Sequence, residues 1–596
     1  MSLEPRPWPE PAEEVARAVR AKNYGRQVPL PVAVRDHFGE LFADAEFASA
    51  FGATGPQGWS PGRLALVTVF QRAENLTDRQ AAEAVRDRLS WAYALGLDLA
   101  DTGFDHTVLS EFRTRVVEHG LEEKVLDLLM DRLKEKGLVG AGGKQRTDST
   151  SVIAAVRDLN RLELAGESVR ALVEALTVAA PHWLAEVIDV PGFSRRYGRR
   201  IDSWKLPTSQ TKREALALDY ARDGFALLGA VHAPGQPLWL RELPAAQVLR
   251  VVLLQNYTRT TASNGREVVK RRKSAEESGD GLPPGRDRLT SPYDTDARWS
   301  VKRDSFWNGF KVHISESCAT EADDAVRLAP PAAMGAEETG PAARGGRQPG
   351  GAPSRPNLIT NIATTASTVP DSKALENIHQ SLRDRDLLPD EHYLDSGYPS
   401  AELITGSAAR YGVALITPVL LDTSRQARAS TGYAARDFTI DWENQQARCP
   451  QGKTSASWSP CEQRGTPMTV VKFAARDCVP CPLREHCTTS RRSGRQLSLH
   501  PRLLTEALHQ ARDQQGTRDW QKDYALRAGV EGTIRQAEAA TGIHRARYRG
   551  LPKTHLEHVY SAAALNLIRL DAWWNGHALD RTRTTHLSRL ELTLAS

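Results

Sequence analysis

Long apolar runs are missing from this sequence of 596 residues. No stretch approaches the ~20 residues that cross a bilayer, and no apolar h-region follows the N-terminus, so a soluble, cytoplasmic chain is expected, with no membrane partner. A strong charge bias is missing too. With 78 Lys+Arg against 73 Asp+Glu, any nucleic-acid face must be local rather than global. Cysteine is scarce and unevenly spent: of six, four crowd between Cys449 and Cys481, Cys487 lies just beyond, and Cys318 stands apart. Clustered cysteines in a large intracellular chain favour a metal site over disulfides.

The length is too great for one core, so two to four domains are expected. Residues 1–40 are Pro-rich and charged, with one helix from Pro11 to Lys22, and read as an N-terminal arm. Residues 41–139 read as helical. Pro61 stands at a first helical position before Leu64, Leu66, Val67, Val69 and Phe70, and Thr77 or Asp78 caps the next helix. A later helix follows Asp105 and carries Ser110, Thr114, Arg113 and Arg115. Successive short helices of this kind fit a helix-turn-helix-like DNA reader, and they also fit a plain helical bundle.

From residue 140 to 596 strands and helices mix. The first strand runs from Lys144 to about Ala155, followed by a helical insertion over 155–290. Phe310, Val312 and Ile314 then alternate with Lys311 and His313, a period-two strand. Residues 320–356 are rich in Ala, Gly and Pro without periodicity and are expected to be a disordered loop. A strand at Leu358–Thr365, a helix from Asp371 to Arg385, a strand at Glu391–Asp395, a helix at Pro399–Arg410 and a strand at Val413–Ile416 follow. A cysteine-bearing insertion over 420–520 comes before the last helices.

Among those last helices, Tyr524, Arg527 and Glu531 share one helical face, since seven residues make close to two turns. The pair Arg527 and Glu531 alone is also what a solvated helix face carries. Two upstream acids change that balance: Asp148 in Thr147-Asp148-Ser149-Thr150, and Asp395 in Leu394-Asp395-Ser396-Gly397-Tyr398. An acid on the first strand, one on the fourth and one on a closing helix is the order of a ribonuclease-H-like fold. The fold class expected is therefore mixed α/β: a ribonuclease-H-like catalytic core with an N-terminal all-helical domain and two insertions. Hard divalent cations take oxygen ligands, and a pair of them held by such carboxylates stabilises both oxygens of an in-line phosphoryl displacement.

On these stretches the chain resembles a bacterial insertion-sequence transposase of the DDE class, in the group with a Y-x-x-R-x-x-x-E signature. Trp307-Asn308-Gly309-Phe310-Lys311-Val312-His313 and the run from Gly542 through Arg545-Ala546-Arg547-Tyr548-Arg549-Gly550-Leu551 to Lys553-Thr554-His555-Leu556 match as well. One departure stands out: the group usually has Lys seven residues after the Glu, where this chain has Glu538. The resemblance implies that Asp148, Asp395 and Glu531 bind two Mg²⁺ ions, with Tyr524 and Arg527 orienting the helix or DNA beside the scissile phosphate. It implies cleavage and strand transfer at insertion-sequence ends, a nucleoid-associated enzyme, and at least a homodimer on paired ends of double-stranded DNA. Arg545, Arg547, Arg549 and Lys553, with Arg113 and Arg115, are the expected DNA contacts. A catalytically inactive or domesticated DNA-binding relative, and a nuclease of the same fold without strand transfer, remain open.

Cys478-Val479-Pro480-Cys481, with Cys487 and with Cys449 in Cys449-Pro450-Gln451-Gly452-Lys453, suits tetrahedral structural zinc. Cys461 is an alternative to Cys449, and the other reading is that these are buried small apolar residues. His486 and His500 read as surface histidines.

Overall fold

The computed structural model describes residues 2–576, except 53, 266, 274–280, 303, 319–354 and 464. The loop expected at 320–356 lies outside the described residues, apart from its last two.

Seven α-helices precede the first strand: α1 (Glu13–Lys22), α2 (Leu30–Phe38), α3 (Pro61–Ala73), α4 (Asp78–Asp87), α5 (Leu89–Leu95), α6 (Thr107–Glu118) and α7 (Lys124–Glu135). Their starts follow local chemistry. The Ser60 hydroxyl accepts from the Arg63 amide at α3, and Thr77 and Gln80 form a reciprocal capping box at α4. The first forty residues are not an arm. Trp8, Val15, Val19, Val32 and Val34 are buried, because α1 and α2 lay their apolar faces on the same core as the helices that follow.

The strands in chain order are β1 (Lys144–Ile153), β2 (Tyr257–Thr261), β3 (Glu267–Arg271), β4 (Arg298–Lys302), β5 (Ser305–Ser317), β6 (Ile359–Ala366), β7 (Glu391–Leu394) and β8 (Ala414–Ile416). Six of them make one sheet. β1 lies at its centre, antiparallel to β5 with Asp148 opposite Ile314, and parallel to β7 with Thr147 opposite Leu394. β8 continues in parallel beyond β7. On the far edge of β5, β4 pairs with its first residues and β6 with the remainder, both antiparallel. Gly309 marks the change of partner: its φ is +155°, and a Cβ there would stand 2.1 Å from the Val152 carbonyl oxygen.

Alternation along β1 sends its side chains to two layers. Gln145, Thr147 and Ser149 face the Asp371–Asp384 side: Thr147 meets His392, and Ser149 meets Asp371. Arg146 and Asp148 face the closing helices. There Glu316 of β5, fully buried, accepts from Arg146 Nε at 2.7 Å, Arg569 Nη1 at 2.7 Å and Thr533 Oγ1 at 2.6 Å. Burial alone would raise its pKa, but Arg569 and Arg146 outweigh that and hold the carboxyl below its ordinary range.

One core joins the N-terminal helices, the sheet and the C-terminal helix Leu551–Trp574. The expected boundary at residue 139 therefore runs through one shared apolar core. Arg72 of α3 and Glu557 of the last helix, both buried, pair at 2.9 Å across it. The insertion between β1 and β4 has a core of its own, built on helices Arg161–Ala179, Gln210–Val231 and Pro244–Asn256. The cysteine-bearing insertion adds β9 (Thr439–Asp441), β10 (Gln446–Arg448), β11 (Ser457–Gln463), β12 (Thr466–Lys472) and β13 (Gln496–Leu499) around a small cluster of Phe438, Val471, Phe473, Leu497 and Leu499. Among the described residues no helix is long and apolar enough to cross a membrane.

Candidate active site

Parallel β1 and β7 carry two of the expected acids to one end of the sheet. Asp148 lies within β1, and Asp395 directly follows β7, where its Oδ1 accepts from the Gly397 amide at 2.8 Å and so closes a tight turn. The third acid arrives on the closing segment. Helix Arg518–Tyr524, a 3₁₀ turn at Ala525–Ala528 and helix Gly529–Thr541 follow one another with the backbone in the αR region, so the signature residues keep a near-helical spacing.

Arg527 is the centre of the site. Its Nη2 meets Asp148 Oδ2 at 2.6 Å, and its Nη1 meets Glu531 Oε1 at 2.8 Å. Asp395 adds its charge to the field that raises the Arg527 pKa; burial opposes this, and Asp148 contributes most to overcoming it. Tyr524 stacks on Trp520 with ring centroids 4.7 Å apart and donates from its hydroxyl to the Leu394 carbonyl at 3.1 Å, one residue before Asp395. Tyr524 and Arg527 thus fasten the closing segment to both acid-bearing strands, and Glu531 is held on that segment by Arg527.

The Asp148 side chain is 10% exposed, whereas that of Glu531 is 50% exposed. Burial pushes the Asp148 carboxyl up to about 6, and the charge of Asp395 adds to the shift; Arg527 and the Ser149 amide oppose it. A buried carboxylate beside a second carboxylate is a place where added positive charge is stabilising.

Three residues in the neighbourhood had no role assigned from sequence: Lys311, Asp371 and His313. Asp371, expected only to begin a helix, accepts from Ser149 Oγ and from Lys311 Nζ, each at 3.0 Å. His313 Nδ1 and the Tyr398 hydroxyl lie 2.7 Å apart. The signal was present, since Lys311, His313 and Tyr398 all fall in the quoted motifs, but pairing across strands is invisible along a chain.

The expected DNA contacts divide. Arg113 is buried, with Nη1 and Nη2 on Asp78 at 3.1 and 2.5 Å and its guanidinium 4.5 Å from the Tyr548 ring centre. Arg547 gives its guanidinium to the Leu76 carbonyl and Asn75. Both are spent inside the protein, a correction to the sequence reading. Arg115 sits over Phe51, and Lys553 Nζ donates to Thr114 at 3.1 Å. Arg545 and Arg549 are exposed. Arg545 lies at the far end of β1: Ile153 bonds to His544 and Ala546 on either side of it, five residues along the strand from Asp148, or about 17 Å.

In the cysteine-bearing insertion the Lys453 amide donates to Cys449 Sγ at 3.3 Å. Burial pushes the Cys487 thiol up to about 11, with Cys478, Cys449 and Cys481 adding to the shift and Arg495 opposing it. Cys461 stands apart on β11, its sulfur 3.7 Å from Gln463 Nε2. Among the described residues no three His, Cys, Asp or Glu side chains are grouped so as to hold a metal ion.

Two family models match the chain. One, described as a transposase DDE domain, matches residues 448–571 and contains Glu531 together with the cysteines. The other, described as a transposase domain (DUF772), matches residues 25–115 in the N-terminal helices. Each covers less than half of the chain; together they support an insertion-sequence DDE transposase, the class its motifs resemble. No curated protein and no solved structure matches it.

Proposed function

We propose that the chain cleaves insertion-sequence ends and transfers the freed strand to target DNA, using Asp148, Asp395 and Glu531 on a ribonuclease-H-like sheet. The observation that carries this reading is the double ion pair of Arg527, which draws Asp148 and Glu531 from distant parts of the chain to one point beside Asp395. Strand order supports it as well: β1 lies between antiparallel β5 and parallel β7, so the strand with Asp148 and the strand that leads into Asp395 are side by side.

The donor set fits hard divalent cations such as Mg²⁺, since all three groups are carboxylates and one is half exposed. Two such ions, bound there, would stabilise the attacking and leaving oxygens at the scissile phosphate. The protein's own part is positional. Arg527 holds Asp148 and Glu531 in place and has to loosen its grip on them as cations enter. Tyr524, anchored on Leu394, fixes the helix against the Asp395 turn. Exposed Arg545 and Arg549, with Arg115 and Lys553 nearby, supply phosphate contacts on double-stranded DNA, and paired ends call for at least a dimer.

Asp395→Asn tests the reading with labelled end DNA. The amide is nearly isosteric but a poorer Mg²⁺ ligand, so end binding should persist while cleavage and joining are lost. Near-normal cleavage by the variant would remove Asp395 from the site. Binding without cleavage in the unaltered protein would favour the inactive relative, and cleavage without joining a nuclease.

The thiols of Cys449, Cys478, Cys481 and Cys487 support a second, structural metal reading, zinc, because they share one field and one carries the amide-to-sulfur bond of a metal knuckle. About one zinc per chain is expected in protein purified without chelators, released by Cys478→Ser with Cys481→Ser. Protein free of zinc would leave them as packing residues of the small insertion core.

A further inference from the structure

We infer that the hairpin of β2 and β3 is a separate contact surface for duplex DNA, entering the major groove as a two-stranded ribbon. The inference takes its partner from the transposase reading but uses none of the carboxylate site. It starts from charge: the Lys and Arg excess of residues 155–290 alone equals the whole chain's +5. The rest of the molecule is balanced.

The ribbon is firmly mounted. It leaves the Pro244–Asn256 helix directly, Tyr257 is buried, and Val269 packs on the insertion core. Arg272 donates from Nε to the Leu254 carbonyl and from its amide to the Asn256 carbonyl, both at 2.9 Å, while Arg161 grips the Arg272 carbonyl at 2.9 Å. The Arg259 guanidinium lies 5.6 Å from the Phe225 ring centre, on the inner face. By alternation the outer face carries Thr258, Thr260 and Lys270, with Thr258 opposite Lys270 and Thr260 opposite Val268.

The charges that remain are all of one sign. Lys270 on the outer face and Lys273 just past it are exposed and pair with no carboxylate among the described residues; Arg271, opposite buried Tyr257, belongs to the inner face, and the ribbon's acid, Glu267, is taken by Arg259. A two-stranded ribbon is one of the two elements that the ~12 Å major groove admits. Threonine hydroxyls and free cations are what such a groove and its phosphates accept. The outer face offers no large apolar anchor, which turns the inference away from a protein or lipid partner.

The test is the salt dependence of binding a random-sequence duplex, measured on the full chain. Lys270→Ala with Lys273→Ala should flatten the slope of log affinity against log salt by about 1 to 2, at ~0.9 per lost phosphate contact. Lys270→Glu alone, at an exposed position, should flatten it by about 1 and decides the matter if the double variant melts early. Slopes equal to the unaltered protein's in both hairpin variants would overturn the ribbon and leave the transposase reading standing. An unaltered chain that binds no duplex would overturn both.

Discussion

Gly529 stands between Arg527 and Glu531 in the closing segment. A Cβ there would fall 2.1 Å from Arg146 Nη1, and Arg146 cannot swing aside freely, because it is buried and bound to Glu316 and to the Leu526 carbonyl. The absence of a side chain lets the closing helix rest directly on the guanidinium under β1. Gly529→Ala should therefore lift the helix that carries Glu531, at a cost of about 1–3 kcal/mol typical of overpacking. Urea denaturation would show a lower midpoint, and end cleavage should fall more than end binding. An unchanged midpoint would mean that Arg146 relocates easily. In the sequence this glycine is one filler position in a signature; the reason for it lies in another strand.

At the scale of elements, β1, β7 and the Asp371–Asp384 helix are joined by a buried histidine relay. His379 Nε2 lies 2.9 Å from His392 Nδ1, and His392 Nε2 lies 2.7 Å from Thr147 Oγ1. Burial lowers the pKa of His379 to about 4 and that of His392 well below its ordinary 6.5. The folded chain thus refuses protons that the unfolded chain accepts below about pH 6.5. The sign follows: the relay's contribution is whole above pH 6.5 and drains away as pH falls toward 4. The urea midpoint should drop between pH 7 and pH 5, and His379→Gln should flatten that dependence. A midpoint independent of pH over this range would mean that the pair is already protonated or open to water.

Element boundaries show what was readable and why. The strand with alternating Phe310, Val312 and Ile314, the helix begun at Asp371 and the short strand before Asp395 all stand close to where periodicity and capping place them. The β2–β3 ribbon was not legible. Its Thr, Arg, Lys and Val residues, with Tyr257 the one buried position, give no apolar face, because a projecting hairpin buries little but its base. The fates of Arg113 and Arg547 were equally hidden, since Tyr548 reaches Arg113, and Asn75 and Leu76 reach Arg547, from the opposite end of the chain, while Asp78 reaches Arg113 from another helix.

For the molecule as a whole, the shared core makes the N-terminal helices dependent on the C-terminal one. Arg72 also donates to the Thr541 carbonyl at 2.7 Å and to Ser561 Oγ at 3.1 Å, so the join is polar as well as apolar. A fragment of residues 41–139 made alone should lack cooperative unfolding, since it would expose the apolar faces that α3, α6 and α7 bury against Leu551–Trp574. Limited proteolysis of the full chain should release no such stable piece. A fragment that melts cooperatively would show that these helices hold a sufficient core by themselves.

The sequence by itself determined the chemistry on offer: three carboxylates, the Tyr-Arg-Glu spacing, clustered thiols, and the local periods that make strands and helices. These are short-range properties, set by backbone geometry and by residue types a few positions apart. Only the tertiary structure decided which groups meet. It joined Arg527 to Asp148, buried Arg113, turned Arg547 onto Asn75 and Leu76, and joined the first forty residues to the core. Those outcomes depend on packing between distant segments, where burial and charge pairing act together.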